Sequence, residues 1–156
     1  MPSHQWDEAR AAQIIAAHKN MEGPTLPILH ALQGAFGFVS DRAIEMTADA
    51  LNLSRAEVHG VVTFYHDFRR THAGTHVLKL CRAEACQAQG ADALAQRVQR
   101  RLKIGWGETT ADQQVSLEPV FCLGLCACAP AAMIDGRVVG RLDDTAVDRL
   151  LTQLES

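Results

Sequence analysis

Cys81-Arg82-Ala83-Glu84-Ala85-Cys86 and, further along, Cys122-Leu123-Gly124-Leu125-Cys126-Ala127-Cys128-Ala129-Pro130 are the two stretches on which the reading of this chain turns. The first is a Cys-x4-Cys pair and the second a Cys-x3-Cys pair, and each follows a run that reads as a β-strand. Residues 75–81 alternate, with His76, Leu78 and Leu80 on one side and Val77, Lys79 and Cys81 on the other. Residues 115–120 form a second strand, whose Pro119 implies that it runs along an edge or finishes there. Between them, residues 91–102 place Ala91, Leu94, Ala95, Val98 and Leu102 on one helical face, with Arg100, Arg101 and Lys103 at the C-terminal end where cations are favoured. Gly105 and Gly107 are expected to end that helix. If the two strands are parallel and the helix is their crossover, the strand ends are neighbours and two loops offer two thiolates each.

Such a constellation suits a rhombic [2Fe-2S] cluster, one iron held by each loop. Structural zinc also takes four thiolates at comparable spacings, and buried or disulfide-forming thiols are a third reading; spacing alone leaves all three open. Plant-type ferredoxin spacing is absent, and Cys81-x4-Cys86 is longer than the Cys-x-x-Cys of thioredoxin-like oxidoreductases. Ala83, Ala85, Gly124, Ala127 and Ala129 surround the cysteines with small side chains. These either accompany tight turns or let backbone amides approach the sulfurs and tune a reduction potential.

Working outward, the hairpin signal Asp135-Gly136 lies between residues 132–134 and 137–142, and Asp143 or Asp144 can cap a last helix with Val147, Leu150, Leu151 and Leu154 on one stripe. The N-terminal half reads as four helices. The first covers residues 7–19, with Ile14, Ile15 and His18 along one side. The second begins at Pro27, presents Leu29, Leu32 and Phe36, and stops at Gly37. The third is capped by Ser40 and ends near Asn52, and the fourth is opened by Ser54 and Glu57 at capping-box spacing. The expected fold class is therefore α+β: an N-terminal helical bundle, residues 1–72, followed by a thioredoxin-like α/β domain with a small mixed sheet, residues 73–156.

The composition agrees with a folded protein. The 156 residues carry 15 Lys and Arg against 18 Asp and Glu, a formal charge of -3, and 47% are apolar, which excludes disorder, collagen and a disulfide-dense miniprotein. Residues 119–134, the longest uncharged stretch, fall short of the ~20 apolar residues that a spanning helix needs. No basic n-region or apolar h-region opens the chain, so a cytoplasmic, reducing location is expected, in which five cysteines serve as metal or redox thiolates.

The two cysteine stretches, with Leu26-Pro-Ile-Leu-His30-Ala-Leu-Gln33 and Leu53-Ser-Arg-Ala-Glu57-Val-His-Gly60-Val-Val-Thr63-Phe64-Tyr65, resemble the thioredoxin-like [2Fe-2S] subunit family over nearly the whole chain. That family includes the 24 kDa subunit of NADH dehydrogenase, its equivalent in bidirectional hydrogenases and the gamma subunit of NAD-dependent formate dehydrogenase. The resemblance implies that Cys81, Cys86, Cys122 and Cys126 ligate one [2Fe-2S] cluster and that the chain is an electron carrier without a catalytic residue of its own. FMN, NAD and a molybdenum cofactor are then expected on partners: a flavin- and NAD-binding iron-sulfur subunit and a molybdenum-containing catalytic subunit. The wording of the helical half, the short chain and the lack of a C-terminal extension look most like the formate dehydrogenase subunit, with the NADH:quinone oxidoreductase and NAD-linked hydrogenase subunits as alternatives. Cys128 departs from the family pattern, which has a small residue there, and reads as a small buried hydrophobe.

Other features yield less. No G-x-G-x-x-G follows a strand, so NAD binding by this chain is not expected. The third and fourth helices could form a helix-turn-helix of a cluster-containing regulator, but residues 54–65 offer only Arg55 and His59 as basic groups, and the negative net charge gives no attraction to phosphate. His30, His59 and His66 read as surface or hydrogen-bonded imidazoles. A Rieske-like role for His72 and His76 is rejected because four cysteines are already suitably placed. Arg97, Arg100, Arg101 and Lys103 read as a solvated face, and Trp106 between two glycines as a candidate interface anchor.

Overall fold

The structure, a computed structural model, describes residues 6–154. The chain divides between His72 and Ala73 into two compact units. Four helices make the first: α1 (Glu8–His18), α2 (Thr25–Phe36), α3 (Asp41–Leu51) and α4 (Arg55–Phe64). Their ends are set by side chains. Asp7 accepts from the Arg10 N–H, Ser40 from the Ala43 N–H, and Ser54 and Glu57 close a reciprocal capping box, so the N–H groups orphaned at three helix starts find partners. The second helix starts at Thr25 rather than Pro27, because Pro27 sits within the first turn, where its missing N–H would have had no partner. Ala11, Ile15, Ile28, Leu29, Leu32, Phe36, Ala43, Ile44, Val58 and Val62 meet in one buried core, closed by Val39 and Phe68 from the connecting segments.

In the second unit β1 (His76–Cys81), α5 (Glu84–Ala88), α6 (Ala91–Leu102), β2 (Glu108–Thr109), β3 (Val115–Val120), a 3₁₀ turn (Cys126–Cys128), β4 (Ala132–Ile134), β5 (Arg137–Val139) and α7 (Asp144–Leu154) follow in order. The mixed sheet has the order β2-β3-β1-β4-β5, with β1 and β3 parallel and all other pairs antiparallel. The expected α+β class, helices first and a small mixed sheet after, is the one observed. Leu94, Val98 and Leu102 of α6 and Val147, Leu151 and Leu154 of α7 are buried with Leu78, Leu80, Val115, Leu117, Ala132 and Ile134 of the sheet. Asp135 at φ 49 and Gly136 at φ 84 make the two-residue turn between β4 and β5.

The structure departs from or adds to the sequence reading at three places. Helix α6 ends at Lys103, which takes the left-handed conformation at φ 57, before either glycine is reached. The short α5 and β2 lack a period long enough to show in the sequence. Strand β3 is an inner strand rather than an edge, but it does finish at Val120, one residue past Pro119, as the other alternative had it, and the proline is tolerated for a local reason. The Leu117 and Val115 carbonyls accept from Gly107 and Thr110 on the β2 side, so by alternation Pro119 also faces that side, where β2 pairs only with Ser116 and Leu117 and has already ended.

Leu117 is fully buried, so Leu117→Ala is expected to cost about 2–5 kcal/mol, read as a lowered urea midpoint. Helices α6 and α7 are tied by a two-point ion pair, Arg97 Nε to Asp148 Oδ1 at 2.9 Å and Nη2 to Oδ2 at 2.5 Å. The hydrogen bond from Arg97 holds the Asp148 carboxyl below its ordinary pKa. A carboxylate with a depressed folded pKa stabilises above its unfolded pKa and loses that contribution as pH falls through the folded one. The thermal stability gap between wild type and Arg97→Gln should therefore be present at neutral pH and close in acid, below the ordinary carboxylate range.

Candidate metal centre

Two loops at one end of the sheet bring the cysteines together. Strand β1 delivers Cys81 at its last residue, paired in register with Val120 at the end of β3, so the chain leaving β3 reaches Cys122 two residues beyond a position level with Cys81. Loop and strand are pinned to each other: the Cys81 N–H donates to Ala131 O at 3.0 Å and the Arg82 N–H to Val120 O at 2.8 Å. After β1 the chain turns directly into α5, whose start at Ala83 has no side-chain cap, and Cys86 lies in that helix. The Gln87 amide closes the loop on the Arg82 carbonyl at 2.8 Å.

The second loop is built by unusual backbone. Cys122 has φ 86, rare for a residue with a side chain, and Gly124 has φ 75. The Gly124 N–H points at Cys122 Sγ, 3.4 Å away, and Cys122 Sγ lies 3.8 Å from Cys126 Sγ. Cys126 opens the 3₁₀ turn, and Cys128 closes it with its N–H on Leu125 O at 2.8 Å.

The four thiols form two pairs of different character. Cys81 and Cys86 are buried at 3% and 2% exposure, within a small cluster that includes Ala91 and Ala131; Cys122 and Cys126 are exposed. Burial pushes the Cys81 thiol up, but the N–H of Ala83, the Cys86 thiol and the N–H groups of Cys122 and Leu123 outweigh it and leave Cys81 lowered. Burial, together with Cys81 beside it, raises Cys86. The neighbouring Cys122 raises Cys126. The first sulfur thus rests in a cage of backbone dipoles drawn from both loops, a setting that favours thiolate, the form in which cysteine binds metal.

This donor set fits a [2Fe-2S] cluster. All four groups are thiols, they stand two by two, and amides converge on the sulfurs. Four thiolates would also satisfy zinc, so the residue types by themselves do not separate the two metals. The histidines lie elsewhere: His72 is edge-on to Phe38, and His76 pairs with Asp135 at 2.7 Å, at the opposite end of β1 from Cys81 and roughly 16 Å along the strand.

Comparison with known proteins agrees with this chemistry. The sequence profile of the thioredoxin-like [2Fe-2S] ferredoxins matches residues 11–155. The chain belongs to that family. It therefore carries one [2Fe-2S] cluster and works by one-electron transfer. It is 35% identical over 148 residues to a subunit of the NADH-quinone oxidoreductase of Pseudomonas aeruginosa, covering 95% of this chain and 82% of that one. It is 31% identical over 141 residues to the HndA subunit of the NADP-reducing hydrogenase of Solidesulfovibrio fructosivorans, covering 90% and 82%. Among solved structures it superposes on an NAD+-reducing [NiFe]-hydrogenase with a TM-score of 0.70 and 28% identity, over 81% of this chain and 22% of that larger one.

Two further residues of the centre were not singled out by sequence. Gly140, on the chain after β5, passes so close that an added Cβ would lie 2.7 Å from Cys128 O and 2.9 Å from Cys128 Cβ, while the Arg141 N–H donates to the same carbonyl at 2.6 Å. Arg82 lies over Trp106, guanidinium carbon to ring centroid 5.2 Å. Trp106 is thus half-buried against the sheet core, with a cation over its ring. Cys128 is half-buried rather than buried.

Gly140→Ala should destabilise the protein more than Gly124→Ala. The first forces backbone apart at Cys128, whereas the second meets nothing within 4 Å and bears only the left-handed strain, about 1–2 kcal/mol. Thermal melts of the two variants, with thiol-reagent accessibility of Cys128, test the ordering.

Proposed function

We propose that Cys81, Cys86, Cys122 and Cys126 hold the cluster, and that the chain is the electron-transfer subunit of an NAD-dependent formate dehydrogenase complex. The observation that carries the ligand assignment is the parallel register that sets Cys81 level with Val120, with the Arg82 N–H on Val120 O at 2.8 Å and Cys122 Sγ 3.8 Å from Cys126 Sγ, which brings both cysteine loops to the same end of the sheet. When bound, a [2Fe-2S] cluster supplies a site that takes up and returns single electrons. The chain's own residues hold it: Cys81 and Cys86 from the buried side, Cys122 and Cys126 from the exposed side, with backbone amides stabilising negative charge on sulfur. The exposed pair leaves one side of the centre open to a redox partner, while the buried pair excludes water from the other.

FMN and the NAD site then belong to a flavin-bearing partner and formate oxidation to a molybdenum-bearing one, with the helical unit, residues 1–72, as a docking element. The wording of the helical half supports formate dehydrogenase. A second reading, the matching subunit of an NADH-quinone oxidoreductase or an NAD(P)-linked hydrogenase, is favoured by the names of the relatives. A DNA-binding role gains no support, since Arg55, the one Arg or Lys of α4, is occupied by Glu45 at 2.8 Å and Asp41 at 3.6 Å. Among the described residues no helix is long and apolar enough to cross a membrane.

Serine at Cys81, Cys86, Cys122 or Cys126 should bleach or distort the visible cluster spectrum, and Cys128→Ser should leave it nearly unchanged; the reverse result at Cys126 and Cys128 would overturn the assignment. Affinity purification of the tagged chain from its native cell distinguishes the complexes, through co-purification with a molybdenum subunit, a quinone-linked membrane arm or a nickel-iron hydrogenase.

A further inference from the structure

Arg82 directly follows the first cysteine, and its guanidinium is held in place rather than left free in solvent. Its main chain is held on both sides, by the N–H to Val120 O and the carbonyl to Gln87. Its side chain lies over Trp106, its Nη2 stands 3.5 Å from Asp92 Oδ1, and its Nε is buried with no hydrogen-bond partner. Asp92 belongs to the first turn of α6, next to Ala91, which packs with Cys81 and Cys86. Covalent geometry alone keeps the guanidinium within roughly 13 Å of Cys81 sulfur. A surface arginine that served only solubility would extend its head into water; this one gives up solvent at Nε.

We propose that Arg82 is a positioning charge that raises the reduction potential of the cluster. The inference rests on the ligand assignment above. The physical reason is direct. A four-thiolate [2Fe-2S] centre is anionic and gains one further negative charge when it accepts an electron, so a fixed cation nearby favours the reduced form. Asp92 opposes it only in part, because that carboxylate is 54% exposed and better screened, whereas the guanidinium is held against an indole face. Trp106 and Asp92 fix where the charge sits.

The test is a redox titration of the cluster-loaded full chain, followed by visible absorbance, for wild type, R82Q, R82K and D92N at low and high salt. R82Q should shift the midpoint potential to more negative values with an unchanged oxidised spectrum, R82K should stay near wild type, and D92N should move it positive. The shifts should shrink at high salt. An R82Q midpoint equal to wild type with the spectrum intact overturns the inference alone, as does an equal displacement by R82Q and R82K, which would mark a merely structural role. Should R82Q fail to assemble its centre, D92N decides: a positive shift supports the proposal and an unmoved midpoint overturns it. A wild-type chain with no cluster spectrum would instead overturn the ligand assignment, and this inference with it.

Discussion

The parallel ladder between β1 and β3 is the constraint from which the metal centre follows. Because Cys81 is level with Val120, the two loops that carry thiols must leave the sheet side by side. A slip of one residue would turn Leu78 and Leu80 out of the core and move every sulfur to a different height. The register is held by the apolar contacts of Leu78, Val115 and Leu117 and by the cross-strand pair of Lys79 with Glu118, 3.4 Å apart and largely shielded. Asp135 adds a second restraint. Its carboxylate accepts from the Val77 N–H at 2.8 Å and meets His76, anchoring the β4–β5 turn to the start of β1.

Charge at the site is managed mostly by main chain. The leading influences on Cys81, Cys86 and Cys126 are burial, backbone N–H groups and neighbouring thiols; Cys81 is lowered against its own burial by N–H dipoles and one neighbouring thiol. Holding those dipoles in place requires backbone that most sequences avoid. Cys122 is kept at positive φ, and Gly140 approaches the Cys128 carbonyl more closely than any side chain would allow. Such local strain is sustained by the tight hydrogen bonding of the loops around it.

The helical unit is organised differently. Its helices are started by side-chain caps and held by a separate apolar core, while Arg42, Arg55 and Arg70 link Glu8, Asp41 and Glu45 on its surface. Exposed pairs of this kind add little each. Phe64 and Tyr65, at the end of α4, stay exposed beside one another.

Much of this was legible in the chain itself. Helical period, capping residues and the Asp135-Gly136 turn are local signals, so helices α1, α3, α4, α6 and α7 and strands β1 and β3 could be placed within a residue or two, and the family emerged from the cysteine stretches. The five-residue α5 escaped because it lacks a side-chain cap and is too short for a period. The tolerance of Pro119 on an inner strand, the stacking of Arg82 on Trp106 and the need for Gly140 were equally hidden. Each depends on residues distant in sequence that meet only after folding. Residue order determined which elements form and which thiols are available, because those properties reside in neighbouring side chains and their spacing. Tertiary structure alone decided which N–H groups face which sulfur, which pair is buried and where the nearby cation rests, because direction and burial exist only once the strands are aligned.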